Sequence, residues 1–450
     1  MPENEKDNKD FKFINEQVIA KKHSKVKKWL MPFFLMMGMA VLFGLIAALT
    51  FAIAEPKIYE VFHKTNEVKT PVSFPTKYPE DNDKDAYADE ITEIPEPEEE
   101  ATPTPEDTKT DPDVTPTPII VENTIEADLE DYISMSDDVR RVAYEANKSI
   151  VSVTSTINTK DWFGDVEKTI ETTGVIIANN NTDLLVLVSL DRVKSASSIQ
   201  VVFSENNYVD AVLQDYETDL NLAVIAIPID KIPIVYMSNK QPWTLGESYT
   251  LTEGSPIIAV GNPNGHLDSI EIGYITSRGS WISITDNKID LFNTSIDDSK
   301  NSDGIIINMR GEVIGIITRT LKEDENEYLS TAIGISKVKS IIELMGNQTP
   351  RNYFGIETED MTDAAKAEKE VVNGVYVDEV KADSPAFDAG IKNGDIILQL
   401  DDQFVMTTSN FYTIISAYEA GDKIEVKIKR SVGTTTKEMT VKVTVAEKVQ

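Results

Sequence analysis

The chain has 450 residues, 41% of them hydrophobic, no cysteine, and 76 acidic against 43 basic residues for a formal net charge of −33. That length calls for two or three folded units joined by linkers. The charge excludes a nucleic-acid role, because a phosphate backbone demands a basic footprint. The missing cysteines exclude disulfides, thiolate nucleophiles and thiolate metal ligands, and fit an exported protein that does without oxidative folding.

Residues 1–28 are polar and close on a basic cluster of Lys21, Lys22, Lys25, Lys27 and Lys28. From Trp29 to Ala54 the chain is uncharged and mostly apolar, long enough as a helix to cross about 30 Å of hydrocarbon. We read 29–54 as a transmembrane helix. The basic flank keeps 1–28 in the cytoplasm and everything after Ala54 outside the cell membrane. Ala52-Ile53-Ala54 also has the small-x-small form of a signal-peptide cleavage site, but the apolar run exceeds the usual signal core of about 7–15 residues. Residues 55–132 are rich in Pro, Glu, Asp and Thr, with fifteen acidic and two basic residues between Glu80 and Asp113. Such a stretch cannot bury enough apolar surface to offset its ordering entropy, so it reads as a disordered acidic linker.

Residues 133–346 change character. A short helical stretch (Asp137 to Asn147) leads into apolar runs of strand length: Ser149 to Val153, Gly174 to Ile177, Leu184 to Ser189, Ile199 to Phe203, Tyr208 to Leu213 and Leu222 to Ile227. Later runs are Ile257 to Val260, Ile270 to Thr276 and Ile289 to Phe292. Asn179-Asn180-Asn181, Glu205-Asn206-Asn207 and Gly261-Asn262-Pro263-Asn264-Gly265 punctuate them, which predicts a sandwich or barrels. A hairpin follows: Gly304 to Ile307, a turn at Asn308-Met309-Arg310-Gly311, and a return strand from Glu312 to Ile317.

The polar loop before this hairpin, the N-x-R-G-E turn at Asn308 to Glu312, the Val313-Ile314-Gly315-Ile316 strand, Gly261-Asn262-Pro263 and Ala332-Ile333-Gly334-Ile335 together resemble the HtrA/Deg family of trypsin-like serine proteases. The resemblance implies a mainly β fold of two packed six-stranded barrels. Its last part, 351–446, resembles an α+β PDZ domain of the same family through Tyr353-Phe354-Gly355-Ile356, Gly374-Val375-Tyr376-Val377, Ser384-Pro385-Ala386 and Gly394-Asp395-Ile396-Ile397. A PDZ domain takes up an extended C-terminal peptide as an added strand. The resemblance implies that backbone N–H groups of Tyr353, Phe354, Gly355 and Ile356 hold the peptide carboxylate and that Phe411 and Ile415 line the opposite wall. Phe411 and Ile415 can equally be ordinary core.

Counting back from Asn308 without a gap puts Ser302 on the family's nucleophile. Lys300 stands in the oxyanion loop where the family has a glycine, Asp303 replaces the glycine after the serine, and Ile305 replaces a proline. The segment that carries the family's histidine matches Leu187 to Val193 and puts Asp191 there. The family's aspartate falls on Asn221, before Leu222-Ala223-Val224-Ile225. Of the three histidines, His23, His63 and His266, none lies near the early strand, and His266 belongs to the loop after Gly265. A serine nucleophile needs a base in hydrogen-bond reach and a third group to orient that base. An aspartate with an ordinary pKa near 3.9 is a feeble acceptor for a serine proton, and Asn221 has no charge to stabilise a protonated base. A Ser302–Lys300 dyad, or a cation among Asp191, Asp297, Asp298 and Asp303, is the other chemistry open to these residues. No cofactor or metal is called for.

The expectation is therefore a membrane-anchored, extracytoplasmic HtrA-like pseudoprotease, by resemblance a homotrimer. It would bind unfolded or C-terminal protein segments through its PDZ domain, in envelope protein quality control or stress signalling. The alternatives are an active endopeptidase with an atypical base, and a regulatory subunit of an active HtrA relative.

Overall fold

The structure is a computed structural model that describes residues 69–75, 128–161, 164–204, 207–322, 328–433 and 435–448, together with Met36 and Met39. The basic tail, the 29–54 span apart from those two methionines, and most of the 55–132 linker lie outside the described residues. Among the described residues no helix is long and apolar enough to cross a membrane.

Helix α1 (Leu129–Ala146) opens the fold on a capping box, with the Asp128 side chain accepting from the N–H groups of Glu130 and Asp131 and the Asp131 side chain accepting from Asp128 N–H. Those bonds satisfy donors that a helix start leaves free. The first barrel follows: β1 (Ile150–Asp161), β2 (Gly164–Asn179), β3 (Asp183–Ser189), the short helix α2 (Leu190–Val193), β4 (Ser198–Ser204), β5 (Asn207–Glu217) and β6 (Leu222–Pro228). It closes in the order β1-β2-β3-β6-β5-β4. After α3 (Ile234–Met237), the second barrel comprises β7 (Pro256–Asn262), β8 (Ser269–Ile284), β9 (Asn287–Asp297), β10 (Asp303–Ile307), β11 (Val313–Thr318) and β12 (Leu329–Gly334), closing as β10-β11-β12-β9-β8-β7. The two six-stranded barrels expected from the sequence are there.

Strands that read as unbroken apolar runs are buried throughout. β10 and β11 are buried at every position, and the side chains of Ile305, Ile306 and Ile307 are wholly inaccessible. Burying each such side chain is worth about 1.5–3 kcal/mol. The core between the barrels gathers Leu187, Val224, Ile258, Ile305 and Ile333, and α4 (Ile335–Asn347) adds Val338, Ile342 and Met345. The cleft between the barrels thus sits on a rigid floor.

Part of the stretch read as linker packs on this fold. Val72 is only 7% exposed, and both of its backbone polar groups pair with the Asn347 side-chain amide at 2.7 and 2.8 Å. The Phe74 ring meets Trp243 edge-on at 5.9 Å. Two apolar side chains one residue apart, Pro71-Val72-Ser73-Phe74-Pro75, give this short piece of an otherwise polar region something to bury. The domain also starts earlier than the expected boundary at 133, because α1 begins at Leu129.

The last unit holds β13 (Asn352–Tyr353), β14 (Ile356–Asp360), α5 (Asp363–Glu368), β15 (Val375–Val380), α6 (Pro385–Asp388), β16 (Ile396–Leu400), β17 (Gln403–Phe404), α7 (Thr408–Ser416), β18 (Lys423–Val432), β19 (Thr435–Thr444) and β20 (Ala446–Glu447). Its sheet runs β14-β15-β16-β18-β19, with β17 on β16, while β13 and β20 pair separately. It has its own core around Phe354, Val377, Phe411, Val426 and Val443. Ion pairs join this unit to the C-terminal end of β5 in the first barrel. Arg351 meets Asp215 at 3.1 Å and Glu217 at 3.5 Å, and Lys448 meets Glu217 at 2.6 Å.

Candidate functional site

Asp191 and Asn221 pair directly, and arginines link Asp191 to the Lys300–Asn301 loop that precedes Ser302, whose own hydroxyl touches neither of them. Asn221 precedes β6 with φ +55°, a left-handed conformation that asparagine tolerates better than most residues. From there its side-chain oxygen accepts from the Asp191 N–H at 2.9 Å, and its amide donates back to the Asp191 carboxylate at 3.1 Å. The positions expected for base and orienting acid therefore hold a reciprocal pair with no imidazole between them. Arg319, just after β11, donates through Nη2 to both oxygens of Asp191, at 3.1 and 3.0 Å.

The same arginine reaches the nucleophile loop. Arg319 Nη1 donates to the Lys300 carbonyl at 3.1 Å, and Arg192 Nη2 donates to that carbonyl at 3.2 Å and to Asn301 Oδ1 at 3.3 Å. Asn262 holds the Asn301 carbonyl at 2.8 Å. Ser302 lies beneath this clamp with no exposed surface. Its hydroxyl donates to the Pro263 carbonyl at 2.7 Å and accepts from the Ser299 N–H at 2.8 Å. Neither bond goes to a side-chain base, and Lys300 itself is exposed.

Asp303 turns away from the cleft. It is 3% exposed and binds the Thr172 hydroxyl and the Thr173 N–H of β2, which ties the second barrel to the first. Burial pushes its carboxyl above the usual carboxylate range against the pull of Thr172 and Thr173. The next residue, Gly304, has φ +121°, and a Cβ there would sit 2.3 Å from the Val260 carbonyl oxygen, so only glycine fits. The aspartates considered as a cation site are drawn apart, Asp191 to Arg319, Asp298 to Lys322 at 2.7 Å, and Asp303 to the threonines. Among the described residues no group of three or more His, Asp or Glu side chains is placed to hold a metal ion.

The second site is the loop from Tyr353 to Ile356. Gly355 has φ +88°, and a Cβ there would lie 2.1 Å from Ser384 Cβ. That conformation turns successive N–H groups the same way. They converge on one carboxylate, that of Asp286 at the tip of the β8–β9 hairpin. Phe354 N–H reaches it at 2.7 Å, Gly355 N–H reaches both oxygens at 2.9 Å, and Ile356 N–H reaches it at 3.1 Å. Phe411 and Ile415 are both buried on α7, and Phe411 meets the rings of Phe354 and Tyr412 edge-on at 5.8 and 5.2 Å.

Three of these participants had no signal in the sequence. Arg192 and Arg319 are ordinary loop cations until the barrels bring them to one carbonyl. Thr285-Asp286-Asn287 reads as plain turn chemistry.

The trypsin-like peptidase domain pattern matches residues 172–316, and the PDZ domain pattern matches 352–445. Serine protease Do-like HtrA of Bacillus subtilis (strain 168) is 29% identical over 294 residues, covering 61% of this chain and 63% of the relative. The probable periplasmic serine endoprotease DegP-like of Rickettsia conorii is 30% identical over 270 residues, covering 58% and 50%. The chain thus spans between half and two thirds of these relatives' length. Among solved structures, an HtrA-type protease, AlgW with decapeptide, superposes with a TM-score of 0.52 at 18% identity, covering 69% of this chain and 99% of that one. At that identity the likeness establishes the HtrA fold.

Proposed function

We propose that this chain is a membrane-tethered, extracytoplasmic HtrA-type pseudoprotease that works as a binding protein, capturing protein C-termini through its PDZ domain in envelope quality control or stress signalling. In this reading the 29–54 helix anchors it in the cell membrane, and the protease-like domains associate as a homotrimer.

The observation that carries the reading is the state of Ser302. Its hydroxyl is inaccessible and engaged as both donor and acceptor with backbone groups. A nucleophile needs an exposed oxygen and a base to take its proton. The base position holds an aspartate whose carboxylate oxygens already accept from Arg319 and from the Asn221 amide. Losing the base alone costs roughly four to six orders of magnitude in triad enzymes.

The test is activity labelling. The full-length chain, purified in mild detergent, is incubated with a fluorophosphonate probe and with unfolded casein, beside its Ser302→Ala variant. Silence in both is the expected result. Labelling or cleavage that disappears in Ser302→Ala would establish a working serine and overturn the proposal.

A further inference from the structure

We propose that the tip of the β8–β9 hairpin is an internal ligand of the PDZ domain, with Asp286 standing in for a chain terminus, so that a protein C-terminus binds only by displacing it. The inference rests on the reading of the Tyr353–Ile356 loop as a receptor for C-termini and adds how that receptor is regulated.

A terminal residue offers such a loop two polar groups, a carboxylate and its own backbone N–H. Asp286 offers both. Its side-chain carboxylate accepts from the N–H groups of Phe354, Gly355 and Ile356. Its backbone N–H donates to the Ile356 carbonyl at 2.9 Å, as the last residue of an added strand would. Two residues further along β14, the Thr358 carbonyl accepts from the Ser283 hydroxyl at 2.6 Å. The hairpin also reaches the far end of the same strand, where Lys288 pairs with Asp360 at 2.5 Å, and Asp360 in turn accepts from the Thr408 N–H at the start of α7 at 2.6 Å. One side chain, one backbone group and an ion pair thus follow the edge of β14 from the carboxylate loop to α7.

Each backbone N–H carries one hydrogen, so the loop cannot serve Asp286 and a peptide carboxylate at once. Asp286 belongs to the same chain, and its effective concentration at the loop is on the millimolar scale typical of tethered ligands. An external C-terminus competes against that.

Two measurements on the full-length chain decide the matter. Amide exchange of the segment containing residues 353–358 reports occupancy of the loop without any ligand. A fluorescein-labelled pool of decapeptides with apolar last residues and free C-terminal carboxylates, alongside the same pool as C-terminal amides, reports competition by anisotropy. Asp286→Ala is expected to speed exchange of the Phe354 to Ile356 amides at least tenfold and to tighten binding of the acid pool at least tenfold, leaving the amide pool unchanged. Asp286→Asn, which keeps the shape but replaces one accepting oxygen by an amide donor that cannot receive the loop N–H groups, should move both readouts the same way and guards against a folding defect. Unaltered exchange in both variants would overturn the internal ligand, whatever the peptides do. Faster exchange with equal peptide binding by wild type and variants would also overturn it, since displacement would then not limit binding. Faster exchange with no peptide bound by any form leaves Asp286 seated in the loop but removes the C-terminus receptor, and with it the proposal of competition.

Discussion

Asp191 and Arg319 stand 128 residues apart in the chain, yet Arg319 Nη2 lies 3.0 Å from one oxygen of the Asp191 carboxylate and 3.1 Å from the other. The arginine spans the cleft. One guanidinium nitrogen holds the carboxylate of Asp191 on α2, and another holds the Lys300 carbonyl of the nucleophile loop. The position that the sequence reading gives to the base thus forms a cross-brace between the barrels.

A brace should be measurable as stability. Arg319→Ala removes charge-assisted bonds from a side chain 16% exposed to a partner 43% exposed. The half-exposed carboxylate limits the loss to about 1–2 kcal/mol. Urea unfolding should show that loss, and amide exchange should quicken at Ser299 to Ser302. Unchanged exchange there would mean that Arg192 and Asn262 hold the loop unaided.

Ser302→Ala provides the contrast. For a nucleophile, alanine would abolish activity and leave the fold alone. Here it strips a buried acceptor, the Pro263 carbonyl, and a partly buried donor, the Ser299 N–H, of their shared partner. Unsatisfied buried groups cost about 1–3 kcal/mol. We expect a loss of stability of that size with no change in casein turnover, and a fully neutral melting curve would contradict it.

Rebuilding the triad on paper should not rebuild the enzyme. Asp191→His with Asn221→Asp restores the residue types that trypsin-like chemistry needs, but the Ser302 hydroxyl stays beneath the loop. The double variant should remain unlabelled by fluorophosphonate. Labelling of the double variant, and not of wild type, would show that the loop opens readily and that the base was the only missing part.

How much of this could be read beforehand follows the physics of each part. Strands such as Leu184 to Ser189 are continuous apolar runs bounded by turn residues, and local pattern suffices to find them. The turn at Asn308 to Glu312 fixes the count back to Ser302, so that serine could be named from spacing. The burial of Ser302 could not, because it depends on the Pro263 carbonyl, which only the pairing of β7 with β10 brings close. Asp286 was illegible for the same reason: its partner loop lies about seventy residues on, and a hairpin tip gives no hint of what it touches. The docked Val72 and Phe74 were hidden by the acidic composition around them, which dominates any window wide enough to read disorder.

Asp286 also gives the hairpin a pH response. Burial pushes its carboxyl up to about 6 against the three backbone N–H bonds and Lys448, compared with 3.8 for the free side chain. The docked form therefore binds the proton more tightly, its stabilisation is greatest at low pH, and it declines as pH rises through about 6. The groups facing Asp286 hold their state over this range. Burial and Asp286 itself push Tyr353 up, burial pushes Tyr412 up, and Lys448, drawn down by burial, is held up by Glu217 and Asp219. A peptide C-terminus, with an ordinary pKa near 3.5, stays ionised. Between pH 7.5 and pH 5, competition by the hairpin should weaken apparent peptide binding roughly tenfold, and Asp286→Asn should flatten the profile. An equally steep profile in Asp286→Asn would assign the titration to another group.

The hinge between barrel and PDZ domain carries the largest expected loss. Arg351 is 9% exposed beside Asp215 and Glu217, which are 6% and 4% exposed, and it also donates to the Tyr216 carbonyl at 2.8 Å. Removing one partner of a buried ionic cluster leaves the other charges desolvated and uncompensated, which costs about 3–5 kcal/mol. Lys448 remains 2.6 Å from Glu217 and offsets part of that cost in Arg351→Ala. Arg351→Lys keeps the charge and loses the fork that spans Asp215 and the Tyr216 carbonyl, so it should fall between alanine and wild type. Urea unfolding followed by tryptophan fluorescence reads the barrels, since Trp243 lies in their shared core. Limited proteolysis across residues 347–352 reads whether the PDZ domain has come loose. A loss below about 1 kcal/mol in Arg351→Ala would mean that Lys448 alone balances the cluster, and Lys448→Ala would then be the variant that separates the domains.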